Sequence, residues 1–405
     1  MARDRSERAR WRSAADMLAL VRREPGITRA EAAQRLDLST GSATEITARL
    51  RELYLLDETP APISGRGRPT TVLRAHPRGP MVVVVDLRQE DWRCAVATVD
   101  GEPRILESAR HVTRDPGLVL DTLRQAIGRA RRRFGDRVRA VSVAVPGVIS
   151  DGHLVQAATL GWGQVDLSGL AGNLAGDAKD PEGIAGDLAG DEDIPVLLGN
   201  DATLAGVAEA RTGCAADAGT ALHLLVEVGI GGALIHDGRP IPGAGGAGGE
   251  FGHLPFGDRG LRCPCGARGC WDLDVDGRAL ARHLGDPPPA DPRTYTYAVL
   301  DRADGAARQA VGSVVSALGS GIAGLVNGHD PELVTLGGLA VPLRAAAPAE
   351  FDAAYMGGLM TFRRVQPPPV LDAHHGDTGA LNGAVAVGLD HVTGDAALAA
   401  WARRS

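Results

Sequence analysis

Near the N-terminus apolar residues recur at helical spacing. Ala14, Met17, Leu18 and Val21 share one side of the segment from Ser13 to Arg23, and Pro25-Gly26 ends it, which predicts a first helix. Thr28 opens a second helix with a capping box: its hydroxyl can accept from the backbone three residues on while Glu31 reaches back to the Thr28 amide. The buried side of this helix is Ala32, Ala33 and Leu36. After the turn Asp37-Leu38, Ser39 can cap a third helix with an inner face of Ala43, Ile46, Leu50 and Leu53. Thr40, Ser42, Thr44, Thr47 and Arg49 are then expected mostly outward. Three short helices joined in this way predict a helix-turn-helix.

The pattern then changes. Two short extended segments flank Ser64-Gly65-Arg66-Gly67-Arg68-Pro69, a turn rich in Gly and Arg that reads as a wing, with Arg66 and Arg68 expected to reach phosphates or the minor groove. Beyond Pro80, apolar runs at 81–85, 141–145, 195–198, 222–226 and 333–336 alternate with helical stretches and glycine turns, which predicts an α/β body of two lobes. Residues 170–195 repeat a Leu/Ile-Ala-Gly theme with acidic spacers and read as a surface insertion formed by local duplication.

Charge sharpens this division. The net charge is −7, yet residues 1–79 carry 15 Arg against 10 Asp plus Glu, or +5, so the remainder sums to −12. A basic head on an acidic body suits a nucleic-acid-binding module attached to a domain with another task. The longest strongly apolar run, 81–85, is far too short to span a bilayer, and the charged N-terminus precedes no apolar stretch, so a cytoplasmic protein with no membrane association is expected. Of five cysteines, Cys263, Cys265 and Cys270 cluster and point to a metal in a reducing compartment, whereas Cys94 and Cys214 are expected in the core.

The strongest chemical signal is His253 followed by Cys263, Cys265 and Cys270. Three thiolates and one imidazole complete a tetrahedral Zn2+ site with no open position, which makes the ion structural and the support of the loop around Glu250 and Asp272. Asn200-Asp201 ends an apolar strand, where a carboxylate either contacts a ligand hydroxyl or caps the helix starting at Ala202, and the two roles are compatible. The glycine turn after Val226 reads as a plain β-turn, because Glu227 would repel phosphate there.

At these residues the chain resembles the ROK family of bacterial repressors, open reading frames and sugar kinases. His253 through Cys270 is similar to the family's zinc signature, residues 144–147 with Gly161-Trp162 to its sugar-lobe motif, and Pro331-Glu332 with Gly337-Gly338 to its adenosine-side motif. The resemblance implies an actin/hexokinase-like (ribonuclease H-like) ATPase-type body behind the winged helix-turn-helix. It also implies sugar contacts from Asn200, Asp201, Glu250, His253 and Asp272, with His253 serving metal and sugar through its two ring nitrogens. The expected division is 1–79 DNA-binding domain, 80–201 first lobe, 202–375 second lobe with the zinc loop, and 376–405 a C-terminal helix returning to the first lobe.

Two departures stand out. Where family kinases carry Asp-x-Gly-Gly-Thr, this chain has Asp86-Leu87-Arg88-Gln89-Glu90, and the usual Gly-Thr-Gly-Ile-Gly is Glu227-Val228-Gly229-Ile230-Gly231. Altered phosphate loops with added negative charge lead to the expectation that the chain is not an enzyme. Asp272 replaces the family's usual Glu, which bears on sugar preference.

The expected protein is therefore a transcription regulator of carbohydrate genes, binding double-stranded operator DNA as a homodimer or homotetramer and controlled by a sugar effector. Ser39, Thr40, Ser42, Thr44, Arg49, Arg66 and Arg68 are its candidate DNA contacts. The rivals are an active sugar kinase with an appended DNA-binding head, in which Asp201 is the general base, and a body that only oligomerises. The retained polar groups weigh against the last, since they are costly to bury unpaired.

Overall fold

The computed structural model describes residues 2–61, 71–150, 152–157, 159–171 and 194–403. In chain order the elements are α1 (Ala2–Arg23), α2 (Arg29–Arg35), α3 (Thr40–Glu52), β1 (Leu56–Pro60), β2 (Thr71–Ala75), β3 (Met81–Leu87), β4 (Asp91–Ala97), β5 (Arg104–Arg110), α4 (Pro116–Phe134) and β6 (Val138–Val145). Then come β7 (Val148–Ser150), β8 (His153–Gln156), β9 (Val196–Asn200), α5 (Asp201–Thr212), β10 (Thr220–Glu227), β11 (Gly229–His236), β12 (Arg239–Pro240), α6 (Gly277–Leu284), α7 (Pro292–Leu300) and α8 (Gly305–His329). The chain closes with β13 (Leu333–Gly338), α9 (Ala340–Ala346), α10 (Pro348–Gly358), β14 (Val370–Asp372), α11 (Gly379–Val392) and α12 (Asp395–Ala402). Two compact units result: one from 1–144, 166–198 and 384–405, the other from 145–165 and 199–383.

In the first unit, helix starts follow the capping chemistry. The Thr28 hydroxyl accepts from the Glu31 amide at 3.2 Å and the Glu31 carboxylate accepts from the Thr28 amide at 2.9 Å. Ser39 caps α3 by accepting from the Ser42 amide at 3.1 Å. Helix α1 starts eleven residues earlier than apolar spacing indicated, because the Arg-rich run before Ser13 continues the same helix. Thr47, expected outward, is buried; its hydroxyl donates to the Ala43 carbonyl at 2.7 Å, which satisfies the polar atom and lets the methyl pack with Ala43 and Leu50.

Strands β1 and β2 pair antiparallel from Leu56↔Ala75 to Pro60↔Thr71, and the turn residues Arg66 and Arg68 lie outside the described residues, as does most of the 170–195 segment. The apolar core of this region unites Met17, Leu18, Leu50, Leu55 and Leu73 with Val99 and with Leu398 of α12. Behind it, a five-stranded sheet runs β5-β4-β3-β6-β9, with β3 buried along its whole length and parallel to β6.

The second unit holds the sheet β12-β11-β10-β13-β14, with β10 parallel to β13 and antiparallel to β11. Helix α8 packs Val314, Leu318, Ile322 and Val326 into its core. By length and composition α8 would pass for a membrane span, but 67% of its apolar window is buried within the fold, as expected of a core helix. Cys94 is buried on β4; Cys214, expected in the core, is exposed, because the turn after α5 carries it out to the Asp372 carbonyl, 3.5 Å from its sulfur.

Candidate functional site

Residues 250–274 fold into two short 3-10 turns joined by a loop. The turn Phe251–His253 carries His253 outward, the loop closes through Cys263 N to Ala267 O at 2.9 Å and Gly266 N to Cys263 O at 3.0 Å, and Cys270 caps the turn Trp271–Asp274. Gly266 (φ +98°) and Gly269 (φ +73°) take the left-handed backbone that this reversal needs. The ligand atoms of His253, Cys263, Cys265 and Cys270 all lie within 4.8 Å of one another. Cys263 Sγ is 3.8 Å from His253 Nδ1, and Cys265 Sγ is 3.6 Å from Cys270 Sγ.

A tetrahedral ion with bonds of about 2.3 Å to sulfur and about 2.0 Å to nitrogen spaces its ligand atoms by roughly 3.5–3.8 Å, the separation of the Cys263–His253 and Cys265–Cys270 pairs, so this donor set fits a metal. Burial pushes the Cys270 thiol up to about 12, with Cys265 and Cys263 adding to the rise. Three sulfurs this close become thiolates together only around a cation, which is what a divalent ion supplies. The loop is anchored from outside: the Trp271 indole donates to Ala317 O at 2.9 Å, and Arg282 donates to Leu273 O and Asp274.

Beside the cluster sits a carboxylate site. Asp272 Oδ1 accepts from the Ile230 amide at 2.6 Å, and its Oδ2 lies 3.4 Å from His253 Nδ1. Glu250 Oε2 lies 3.7 Å from His253 Nε2. Burial raises the carboxyls of both Glu250 and Asp272 above the ordinary range, and the His253 charge opposes the rise in each. Gly252 is compulsory here, since a β-carbon would run into Asp272 Oδ1 and come within 2.5 Å of Ile230 O.

Asn200 and Asp201 stand at the start of α5. It is Asn200 that caps the helix, its Oδ1 accepting from the Thr203 amide at 2.9 Å while its Nδ2 donates to Gly147 O at 3.0 Å. Asp201 is the first helical residue, Oδ1 accepting from the Ala202 amide at 2.8 Å, at the end where the helix dipole favours a negative charge. The same helical turn lies against Gly231, whose β-carbon would meet Ala202, and Thr203 is within van der Waals reach of Gly249, whose β-carbon would run into Gly232 O. Asn200-Asp201 and Glu250 thus occupy adjoining segments. Sequence reasoning missed the Ile230 amide, which has no side-chain signal, and Asp276, wholly buried and held by Arg278 at 2.6 Å.

In the N-terminal region Ser39, Thr40, Ser42 and Thr44 are exposed on α3, with the Thr44 hydroxyl donating to Thr40 O at 2.8 Å and the Ser39 and Ser42 hydroxyls 2.8 Å apart. Arg49 lies half-buried with its guanidinium 3.9 Å from the Trp11 ring centre, so it ties α3 to α1.

The α/β body thus carries a carboxylate–imidazole cluster beside a Cys3His group. The profile of the ROK family matches residues 82–390, and the chain belongs to that family. It is 31% identical over 288 residues to a kanosamine kinase of Amycolatopsis mediterranei, covering 69% of this chain and 85% of the enzyme. It is 28% identical over 280 residues to the N-acetyl-D-glucosamine kinase of Escherichia coli, covering 65% and 85%. Among solved structures, a ROK family transcriptional regulator described as a homolog of the E. coli MLC protein superposes at a TM-score of 0.74, with 20% identity, over 98% of this chain and all of that one.

These relatives correct the expectation that the chain is not an enzyme: the curated proteins it resembles are sugar kinases. The structure supplies a physical reason. Both carboxylates expected to repel phosphate are countered, Glu227 by Arg293 and Glu90 by Arg114 at 3.4 Å, and backbone amides that hold phosphate are carried by any residue type except proline.

Proposed function

We propose that this protein is an effector-controlled transcription regulator that binds operator DNA through an N-terminal winged helix-turn-helix and a sugar in its ROK domain. The observation that carries the reading is α3: capped by Ser39, buried through Ala43, Thr47 and Leu50, and presenting Thr40, Ser42 and Thr44 to solvent beside the β1–β2 hairpin. The basic charge of this region and a fold shared with a ROK regulator over nearly the whole chain support it.

In this reading a homodimer or homotetramer in the cytoplasm places its α3 helices in successive major grooves, with Arg66 and Arg68 at the wing. Asp201, Glu250, His253 and Asp272 accept or donate to sugar hydroxyls, and Asn200 shapes the pocket by holding Gly147. Structural Zn2+ on His253, Cys263, Cys265 and Cys270 holds the pocket wall. The substrate classes in the names of its relatives favour an amino sugar or its N-acetyl derivative.

The test pairs selection of a duplex from a random pool with thermal shift against glucose, N-acetyl-D-glucosamine, kanosamine and their phosphates. Selective duplex binding together with a rise in Tm for one sugar, lost in Asp201→Ala, supports the reading; failure to enrich any duplex sinks it. The second reading, a sugar kinase bearing this head, is favoured by the 31% identity to kanosamine kinase. Sugar-dependent ADP release from ATP, abolished by Asp201→Ala, would establish it.

A further inference from the structure

Within the N-terminal region one carboxylate holds two arginines. Strand alternation puts Glu58 on the same side of β1 as the core residue Leu56, and its side chain is only 15% exposed. Arg29, the first residue of α2, donates from Nη1 to Glu58 Oε1 at 3.1 Å, and Arg51 in the last turn of α3 places its Nη1 3.6 Å from Oε2. A carboxylate so shielded needs a counter-charge, and one guanidinium supplies it. The second leaves the group with a net positive charge. Asp57, the next acid along β1, stands opposite Arg74 in the β1–β2 register and leaves that balance unchanged.

Both side chains also face water, Arg29 41% and Arg51 51% exposed, and among the described residues Glu58 is the acceptor recorded for each, which leaves Nη2 donors for a further anion. Arg51 shares a stripe with residues of the proposed DNA face: Thr40, Thr44 and Arg51 follow one another at helical spacing, and all three are exposed. At about 1.5 Å per residue, Arg51 lies about 16 Å along the axis from Thr40, more than the roughly 12 Å width of a major groove. A helix with its first turn against base edges therefore carries Arg51 to the flank of the groove, where the phosphates are. Arg49, the arginine that spacing alone favoured, is taken up by Trp11. Glu45 and Glu52 are exposed on the next stripe round the helix, so a phosphate is drawn to the Arg51 stripe rather than to theirs.

We propose that Arg29 and Arg51, both oriented by Glu58, form a phosphate clamp that grips the backbone of double-stranded operator DNA beside the groove entered by α3. This rests on the proposed regulator reading and names side chains of its DNA interface that sequence spacing did not single out. The clamp works by preorganisation: each guanidinium fork is aimed before the duplex arrives, so less side-chain freedom is lost on binding. It adds affinity without sequence preference, because phosphates carry no sequence information.

The test uses the full chain and a duplex selected by the wild-type protein, with Kd measured by fluorescence anisotropy over a series of KCl concentrations. Arg29→Gln and Arg51→Gln each remove one clamp charge. Arg35→Gln, at the other end of α2 where Arg35 pairs with Glu24 at 3.6 Å, removes the same charge outside the clamp. The expected result is that each clamp variant lowers the slope of log Kd against log salt by about one, the loss of one phosphate contact, while Arg35→Gln leaves it unchanged. Affinity for the selected duplex and for a scrambled one falls by the same factor, with Tm close to wild type, since exposed ion pairs add little to stability. Weaker operator binding at an unchanged slope marks a tie that only holds the head together, and that outcome overturns the clamp while the regulator reading stands. An equal loss of slope in Arg35→Gln overturns it as well, as an effect of overall charge. Wild-type protein that selects no duplex sinks the regulator reading and the clamp with it.

Discussion

His253 and Glu250 face each other across 3.7 Å, Nε2 to Oε2, while the Nδ1 of the same imidazole lies 3.8 Å from Cys263 Sγ. One side chain thus faces Glu250 with one ring nitrogen and both Cys263 and Asp272 with the other. A metal on Nδ1 fixes the ring orientation and leaves Nε2 as a donor toward Glu250 or a sugar hydroxyl.

Metal removal should therefore reach the pocket. Dialysis against a strong chelator is expected to lower Tm and to weaken sugar binding by about tenfold or more, both restored by stoichiometric Zn2+. Calorimetric titration of stripped and reloaded protein checks this; equal sugar affinity in both forms would show that the cluster does not shape the pocket.

Asn200→Asp separates the two jobs of that side chain. An aspartate still accepts from the Thr203 amide, so the α5 cap survives, but it cannot donate to Gly147 O. Stability should fall by only about 1 kcal/mol while sugar affinity falls more steeply, whereas Asn200→Ala loses the cap as well, at a further cost of about 1 kcal/mol. Urea unfolding beside sugar titration distinguishes the two.

Gly252→Ala adds one methyl group where Asp272 Oδ1 already sits. Asp272 must swing away from the Ile230 amide, which is expected to cost about 1–3 kcal/mol and to abolish detectable sugar binding with the Cys3His ligands intact. Metal content by mass spectrometry and Tm provide the readouts; a variant with wild-type affinity would remove Asp272 from the pocket.

His223 gives the second unit an acid-sensitive core. Its ring is fully buried, Nδ1 2.8 Å from Thr335 Oγ1, and burial holds its pKa down to about 4, with the nearby Glu209 carboxylate opposing. The unfolded chain protonates near the ordinary 6.5, so the unfolded state binds more protons between these values. Stability is then complete above about pH 6.5 and falls as pH drops toward 4, by on the order of 3 kcal/mol. Denaturant midpoints across that window should decline in wild type and flatten in His223→Leu.

Much of this was readable in order along the chain. Thr28 with Glu31, and Ser39 with Ser42, make bonds across three residues, and their spacing alone announces them. The strand run at 81–85 is apolar on both faces because its sheet is covered on both, and the Cys spacing names a tetrahedral donor set without knowledge of the fold. Thr47 misled because a hydroxyl counts as polar in a pattern, yet the Ala43 carbonyl makes it apolar in effect. Cys214 misled because nothing local to a thiol distinguishes a buried turn from an exposed one.

What the sequence by itself determined was the caps of α2 and α3, the main apolar strand runs and the Cys3His donor set, since these depend on hydrogen bonds and periodicities spanning a few residues. Only tertiary structure decided that Arg293 cancels the charge of Glu227, 66 residues earlier, and that Ile230 anchors Asp272 across 42. It also decided that Trp401 closes α3 through Leu53. Each of these is a pairing of one polar group with one of many equivalent partners, and the choice among them is made by packing of the apolar core rather than by any preference of the residues themselves.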